Sequence, residues 1–143
     1  MVENPVKESK NFINVGVLVN AKGEVLIARR VKEETGKNGK VLRWAFPGGK
    51  QRFGESRNEG VKREVFDETG YSIVPVREIS MRAHPEIPVI VVYHLCKLEQ
   101  PQQIKDPGQP WEIAEIKWVK PEELREYFTT SLDPNVAKEL KIG

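Results

Sequence analysis

Three carboxylates carry most of the chemical potential of this chain. Glu64, Asp67 and Glu68 fall in one stretch, Gly49 to Tyr71, which reads GKQRFGESRNEGVKREVFDETGY. On a helix turning about 100° per residue they cover roughly a third of the circumference. Such an oxygen-rich wall suits a hard cation such as Mg²⁺. An acidic helix face is also what ordinary solvated surface looks like, because exposed like charges at i,i+4 cost only a few tenths of a kcal/mol. The elements that hold the carboxylates therefore matter.

The helix has well-marked ends. Ser56 followed by Glu59 is a capping box, and Gly70 suits the left-handed position that stops a helix at Glu68 or Thr69. Val61 and Val65 lie beside the acidic wall and dock the helix on a sheet. Gly60, a costly mid-helix residue, implies a close approach to the backbone there. Upstream, Phe12 to Val19 and Glu24 to Arg30 read as strands, the second with Val25 and Ile27 on one face. Residues 31–42 are polar with two glycines and read as a mobile hairpin tip. Residues 43–46 make a short strand ending at Pro47-Gly48-Gly49. Downstream, Ser72 to Val76, Val89 to Cys96 and Ile113 to Val119 read as strands, and residues 97–110 as a loop. Pro121 and Asp133-Pro134 open two short helices. The interleaving predicts a mixed sheet with helices packed on it.

Bulk properties narrow the classes. The chain has 143 residues, the size of one domain, with residues 1–10 read as a flexible tail. Apolar residues make up 38% and charged residues 31%, and the net charge is +2. That balance gives no basic face for nucleic acid, and no apolar run approaches the ~20 residues of a membrane span. A single cysteine, Cys96, cannot form an internal disulfide, which points to a reducing compartment and a cytoplasmic location. His84 and His94 have no partner at zinc spacing.

The full spacing says more than the helix. Gly49, five residues, Glu55, seven residues, Arg63-Glu64-Val65, then Asp67-Glu68 and Gly70-Tyr71 resembles the Nudix box, G-x5-E-x7-R-E-U-x-E-E-x-G-U with U a bulky apolar residue. The one departure is Asp67, where the pattern has Glu; its shorter arm makes contact through water the expected mode. Val25 to Arg30, Trp44 to Lys50, and Trp118-Val119 followed by PEEL look like MutT-type members of the family. The resemblance spans roughly residues 12–125.

It implies an α/β (α+β) fold, an α/β/α sandwich around a mixed sheet, over a single domain. It also implies hydrolysis of a nucleoside diphosphate linked to another moiety, with Mg²⁺ or Mn²⁺. By resemblance, Glu64, Glu68 and the carbonyl of Gly48 hold metal, with Asp67 in a lesser role. Glu55 and Arg63 match a structural ion pair, although Arg63 could instead pair with Glu59 at i,i−4. The general base is Glu64 by analogy with MutT-like members, or a loop acid, Glu112 or Glu115. Glu112 is also a candidate further ligand. Arg30 matches a phosphate-facing arginine and Asn135 a purine-reading asparagine. Trp111, Trp118 and Tyr93 are aromatic faces for a base, with core packing favoured for Trp118. Lys32, Lys37 and Lys40, with Arg29, Arg30 and Arg43, form a net positive lip against Glu33 and Glu34.

The expected partner is a small nucleotide, with neither nucleic acid nor membrane, and the oligomeric state is left open. A nucleoside triphosphate pyrophosphohydrolase releasing the monophosphate and pyrophosphate leads. An ADP-ribose or nucleotide-sugar pyrophosphatase is the runner-up. A catalytically inactive nucleotide-binding regulator is the reading from another class; it is disfavoured because Glu64 and Glu68 are both present.

Overall fold

In the computed structural model, residues 11–36, 39, 41–108 and 111–142 are described, the side chains of residues 33 and 34 excepted. The expected tail at residues 1–10, and Lys37 and Lys40 of the lip, lie outside them.

Among the described residues, seven strands divide into two sheets. The four-stranded one is ordered β4 (Gly48–Lys50), β1 (Phe12–Leu18), β6 (Ile90–Leu98), β5 (Ile73–Ala83); β1 and β6 are parallel and the other pairs antiparallel. The three-stranded one is antiparallel, β3 (Val41–Ala45), β2 (Val25–Thr35), β7 (Ile113–Val119). The helix α1 (Arg57–Thr69) packs on the first sheet against β1, β4 and β5. Short helices α2 (Leu124–Tyr127) and α3 (Pro134–Glu139) follow β7, and a 3-10 turn at Pro121–Glu123 leads into α2. The mixed α and β architecture is the expected one, with its strands split between two sheets. No helix among the described residues is long and apolar enough to cross a membrane.

Alternation along the strands builds a core on each side. Val15 and Val17 of β1 join Val25, Ile27, Phe46 and Tyr93, and this core is covered by Leu124 of α2 and Val136 of α3. Leu18 faces the opposite way and meets Leu26, Val61, Val65 and Cys96 under α1. Gly16 lets α1 sit close, since a Cβ there would lie 2.9 Å from a methyl of Val65. Gly60 is the approach point expected of it: a Cβ would lie 3.1 Å from Asn14 Nδ2 and 3.3 Å from Glu55 Oε1.

Two expectations change. The polar tip predicted over 31–42 is shorter, because β2 continues to Thr35 and its ladder pairs Glu34 with Leu42 and Thr35 with Val41. The strand predicted over 72–76 runs on to Ala83. Register shifts between Pro75 and Arg77 and between Glu78 and Ser80 break the two-residue alternation that would have marked it.

A buried polar chain crosses the first sheet. His94 is fully buried, and its Nε2 lies 2.9 Å from Asn14 Oδ1. Asn14 Nδ2 donates to Gln51 Oε1 at 2.8 Å, and Gln51 Nε2 donates to the Glu55 carbonyl. Because Asn14 Oδ1 only accepts, Nε2 of His94 carries the proton. Its Nδ1 has no hydrogen-bond partner among the described residues. Burial pushes the imidazole down to about 4 from 6.5, so the fold holds it neutral. The unfolded chain then binds a proton below about 6.5 that the native chain refuses until about 4. Stability is fully present above pH 6.5 and is lost as pH falls across that window, by about 3 kcal/mol at its lower end. In His94→Gln the amide nitrogen still reaches Asn14 without titrating. The fall in urea midpoint between pH 7 and 4.5 should therefore be smaller in that variant than in the wild type. An equal fall in both would remove His94 as the cause.

Candidate active site

Helix α1 is framed as its sequence prescribes. Ser56 Oγ accepts from Glu59 N, Glu59 Oε1 accepts from Ser56 N, and Gly70 takes φ 79° at the C-cap. Because the cap engages Glu59, Arg63 pairs with Glu55. Its Nε lies 2.5 Å from Glu55 Oε2 and its Nη2 3.0 Å from Glu55 Oε1. Arg63 also donates to Glu64 Oε1 at 2.6 Å and to the Lys50 carbonyl at 3.1 Å. One guanidinium thus ties the loop ahead of the helix to the first carboxylate of the acidic face. The Arg63 hydrogen bond is the main reason the Glu55 carboxyl titrates below its ordinary range.

The C-terminal end of α1 is closed by the loop after β6. Gln103 Nε2 donates to the Thr69 carbonyl, Gly108 N to the Glu68 carbonyl and Ile104 N to the Gly70 carbonyl. These bonds satisfy backbone oxygens that a helix end leaves without partners. They also bring Trp111 and Glu112 to the acidic face. The Glu112 carbonyl then accepts from Val31 N on β2.

Glu68 is the most enclosed of the three carboxylates, with 12% of its side chain exposed. Its Oε1 accepts from Gly48 N at 3.0 Å, and its Oε2 lies 2.8 Å from Arg30 Nη2. The same Arg30 nitrogen donates to the Gly48 carbonyl at 3.1 Å. Burial pushes the Glu68 carboxyl up to about 7; Arg30 and the Gly48 N–H oppose the shift, and the charges of Glu64 and Glu112 add to it. Asp67 stands at the rim, half exposed, with Oδ2 3.6 Å from Arg63 Nη1. Of the Pro47-Gly48-Gly49 turn, Gly49 fits against this group, and Gly48 against β1, only without a side chain. A Cβ on Gly49 would lie 2.4 Å from Glu64 Oε2, and one on Gly48 2.2 Å from the Asn14 carbonyl.

A cleft of about 1080 Å³ runs from this group toward the start of α3. That volume is of the size that takes a small organic ligand. Its polar end holds Arg30, Gly48, Glu64, Asp67, Glu68 and Glu112, with Lys32 and Arg43 of the expected lip. Its other end holds Tyr93, Arg82, Phe128 and Asp133. Trp111, with 71% of its surface exposed, also borders it.

The structure thus gathers Arg30, Gly48, Arg63, Glu64, Asp67, Glu68 and Glu112 along the cleft, with Glu55 behind Arg63. Glu115 is turned to Arg29 at 3.7 Å and does not line the cleft. Asn135 does not line it either: its side-chain amide reaches Ser80 Oγ at 3.4 Å. Asp133, not singled out from sequence, lies on the wall instead. Its Oδ1 caps α3, and its Oδ2 accepts from Ser80 Oγ and lies 3.5 Å from Arg82 Nε. Only its cap signature was readable. Trp118 packs under α1 and donates to Tyr71 Oη at 3.2 Å. His84 Nδ1 accepts from the backbone N–H groups of Glu86 and Ile87.

The donors on this wall are all oxygens, the set a hard cation prefers. Among the described residues no group of three or more acidic, histidine or cysteine side chains is already assembled as a metal centre. Glu64 and Glu68 are each paired with an arginine. Glu68 Oε2 and the Gly48 carbonyl converge on one positive group, the Arg30 guanidinium.

Comparison with known proteins adds independent findings. The family model described as NUDIX domain matches residues 10–140. A curated relative, the RNA pyrophosphohydrolase of Blochmanniella floridana, is 37% identical over 70 residues; the match covers 48% of this chain but only 39% of that protein. Among solved structures, the MutT protein from Methanosarcina mazei Go1 superposes with a TM-score of 0.63 at 27% identity, covering 92% of this chain and 90% of that one. The NUDIX hydrolase from Nitrosomonas europaea superposes with a TM-score of 0.71 over 99% of this chain and 73% of its own, at 17% identity.

Proposed function

The chain belongs to the NUDIX domain family, and from that premise we propose that it hydrolyses a nucleoside diphosphate linked to another moiety, with Mg²⁺ or Mn²⁺. Within that class we assign it a nucleoside triphosphate as substrate, released as the monophosphate and pyrophosphate. The observation that carries this reading is the convergence of Glu64, Glu68, Glu112 and the Gly48 carbonyl with Arg30 at one end of a nucleotide-sized cleft. A divalent cation and a polyphosphate need such a mixture of anionic ligands and a cationic fork. The B. floridana relative is called an RNA pyrophosphohydrolase, which accords with the broader class of reaction.

In this reading Glu68, Glu64 and the Gly48 carbonyl hold the cation, with Asp67 and Glu112 at its margin. When bound, the cation neutralises charge on the phosphoryl oxygens and acidifies a ligated water. Glu64 takes the proton of the attacking water. Its Oε1 is held by Arg63, so Oε2 is the oxygen left to serve both the cation and the proton of its ligated water. Arg30 pairs with phosphate oxygens through charge-assisted hydrogen bonds. The aromatic surface of Trp111 is available to a base.

The test is a hydrolysis screen over nucleoside triphosphates, ADP-ribose, dinucleoside polyphosphates and nucleotide sugars, with products identified, in Mg²⁺ and in excess chelator. Triphosphates should be cleaved to monophosphate and pyrophosphate, and chelator should abolish the reaction. A preference for ADP-ribose would promote the runner-up. Nucleotide binding without turnover on any substrate would favour the inactive regulator.

A further inference from the structure

We propose that Arg30 is a built-in competitor of the metal: its guanidinium holds the two oxygens, Glu68 Oε2 and the Gly48 carbonyl, that a divalent cation would need, and gives them up to that cation when substrate phosphate draws the guanidinium away. The proposal rests on the divalent-cation reading above and says what makes metal and nucleotide binding depend on each other.

The contacts define the competition. A single atom, Arg30 Nη2, lies 2.8 Å from Glu68 Oε2 and 3.1 Å from the Gly48 carbonyl. A divalent cation held by those oxygens would compete for the space that nitrogen fills. The guanidinium and the cation exclude each other by volume and repel by charge. The two site arginines are built differently. Arg63 is locked by Glu55, Glu64 and Lys50 and has little freedom, with 19% of its side chain exposed. Arg30 is 49% exposed, borders the cleft, and hydrogen-bonds, among the described residues, only to oxygens of the metal cradle. It can leave without disturbing the helix or the loop. The neighbouring Arg29 cannot replace it, since its partners are Glu115 and the face of Trp44.

The consequence is a coupling. Metal alone must expel Arg30 into water. A phosphate that pairs with Arg30 removes that cost, so nucleotide tightens metal binding, and metal tightens nucleotide binding by the same factor.

The experiment reads metal affinity without turnover. Mn²⁺ is titrated into the wild type, Arg30→Gln and Arg30→Lys by calorimetry, all at one pH. The titrations are repeated with a non-hydrolysable triphosphate analogue, with metal binding to free analogue subtracted. Without nucleotide, Arg30→Gln should bind Mn²⁺ about tenfold more tightly than wild type, the factor expected for one displaced charge-assisted contact. Arg30→Lys keeps the charge, but its ammonium ends one bond short of the arginine Nη2 position, and it should fall between them. The analogue should tighten Mn²⁺ binding in the wild type and do so less in Arg30→Gln. If Arg30 merely props Glu68, its loss will weaken or leave unchanged the affinity for Mn²⁺ while circular dichroism stays native, and the proposal is wrong. A wild type that never binds Mn²⁺, with or without the analogue, would overturn the cation reading as well.

Discussion

Glu68→Gln is expected to lower turnover by about a hundred- to a thousandfold and at the same time to make the apoprotein more stable above neutral pH. The first effect follows from removing a negative oxygen ligand at a point where phosphoryl charge must be neutralised. The second follows from the cost of the native carboxylate. Its carboxyl is raised to about 7 from 4.5, burial being the main cause. Between those pH values the native chain holds a proton that the unfolded chain has lost, so this group's contribution to stability falls as pH rises. Above pH 7 the ionised side chain costs about 3 kcal/mol or less. Glutamine carries no charge, keeps the shape and can still accept from Gly48 N. Urea unfolding at pH 8.5 in chelator should show Glu68→Gln above the wild type by about 1–3 kcal/mol, with the difference vanishing near pH 4.5. Near-normal turnover would remove Glu68 from the metal site. Lost activity accompanied by lost stability would instead make it a structural residue.

Arg63→Ala should damage both stability and activity. It removes two bonds to Glu55, one to Glu64 and one to the Lys50 carbonyl, all from a side chain that is mostly enclosed. Charge-assisted bonds of this kind, broken so that Glu55 loses its counter-charge, correspond to a loss of about 2–4 kcal/mol. Glu64 would no longer be held, and a base or ligand misplaced by about 1 Å loses roughly a hundredfold in kcat/KM. Arg63→Lys should recover little, because an ammonium cannot span Glu55 and Glu64 from one plane. The acid limb of the unfolding curve gives a check of its own. Glu55 titrates below its ordinary range through Arg63, so it contributes stability above about pH 4.5 that is lost as pH falls through its native value. That contribution should shrink in Arg63→Ala. An acid limb identical to wild type would mean the pair does not hold the loop.

What the sequence determined by itself is local. The Ser56–Glu59 capping box, the Gly70 stop, and the valine and carboxylate faces of α1 are interactions within one or two helical turns, written in residue spacing. The box spacing further implied the Glu55–Arg63 pair, and the cap that occupies Glu59 settles it against the i,i−4 alternative. Tertiary structure decided everything that joins distant segments. Arg30 reaches Glu68 because β2 and the Gly48 turn are brought over the end of α1, and Glu112 arrives because residues 103–108 supply the donors that α1's last carbonyls lack. The length of β5 was hidden by its bulges, and the turning of Asn135 away from the cleft depends on how α3 docks beside Ser80. His94, Asn14 and Gln51 form one buried chain only because parallel pairing sets β1 beside β6. Spacing reports which side chains share a helix face, whereas sheet register and loop closure decide which faces meet, and here they set Arg30 on the Glu68 carboxylate and the Gly48 carbonyl.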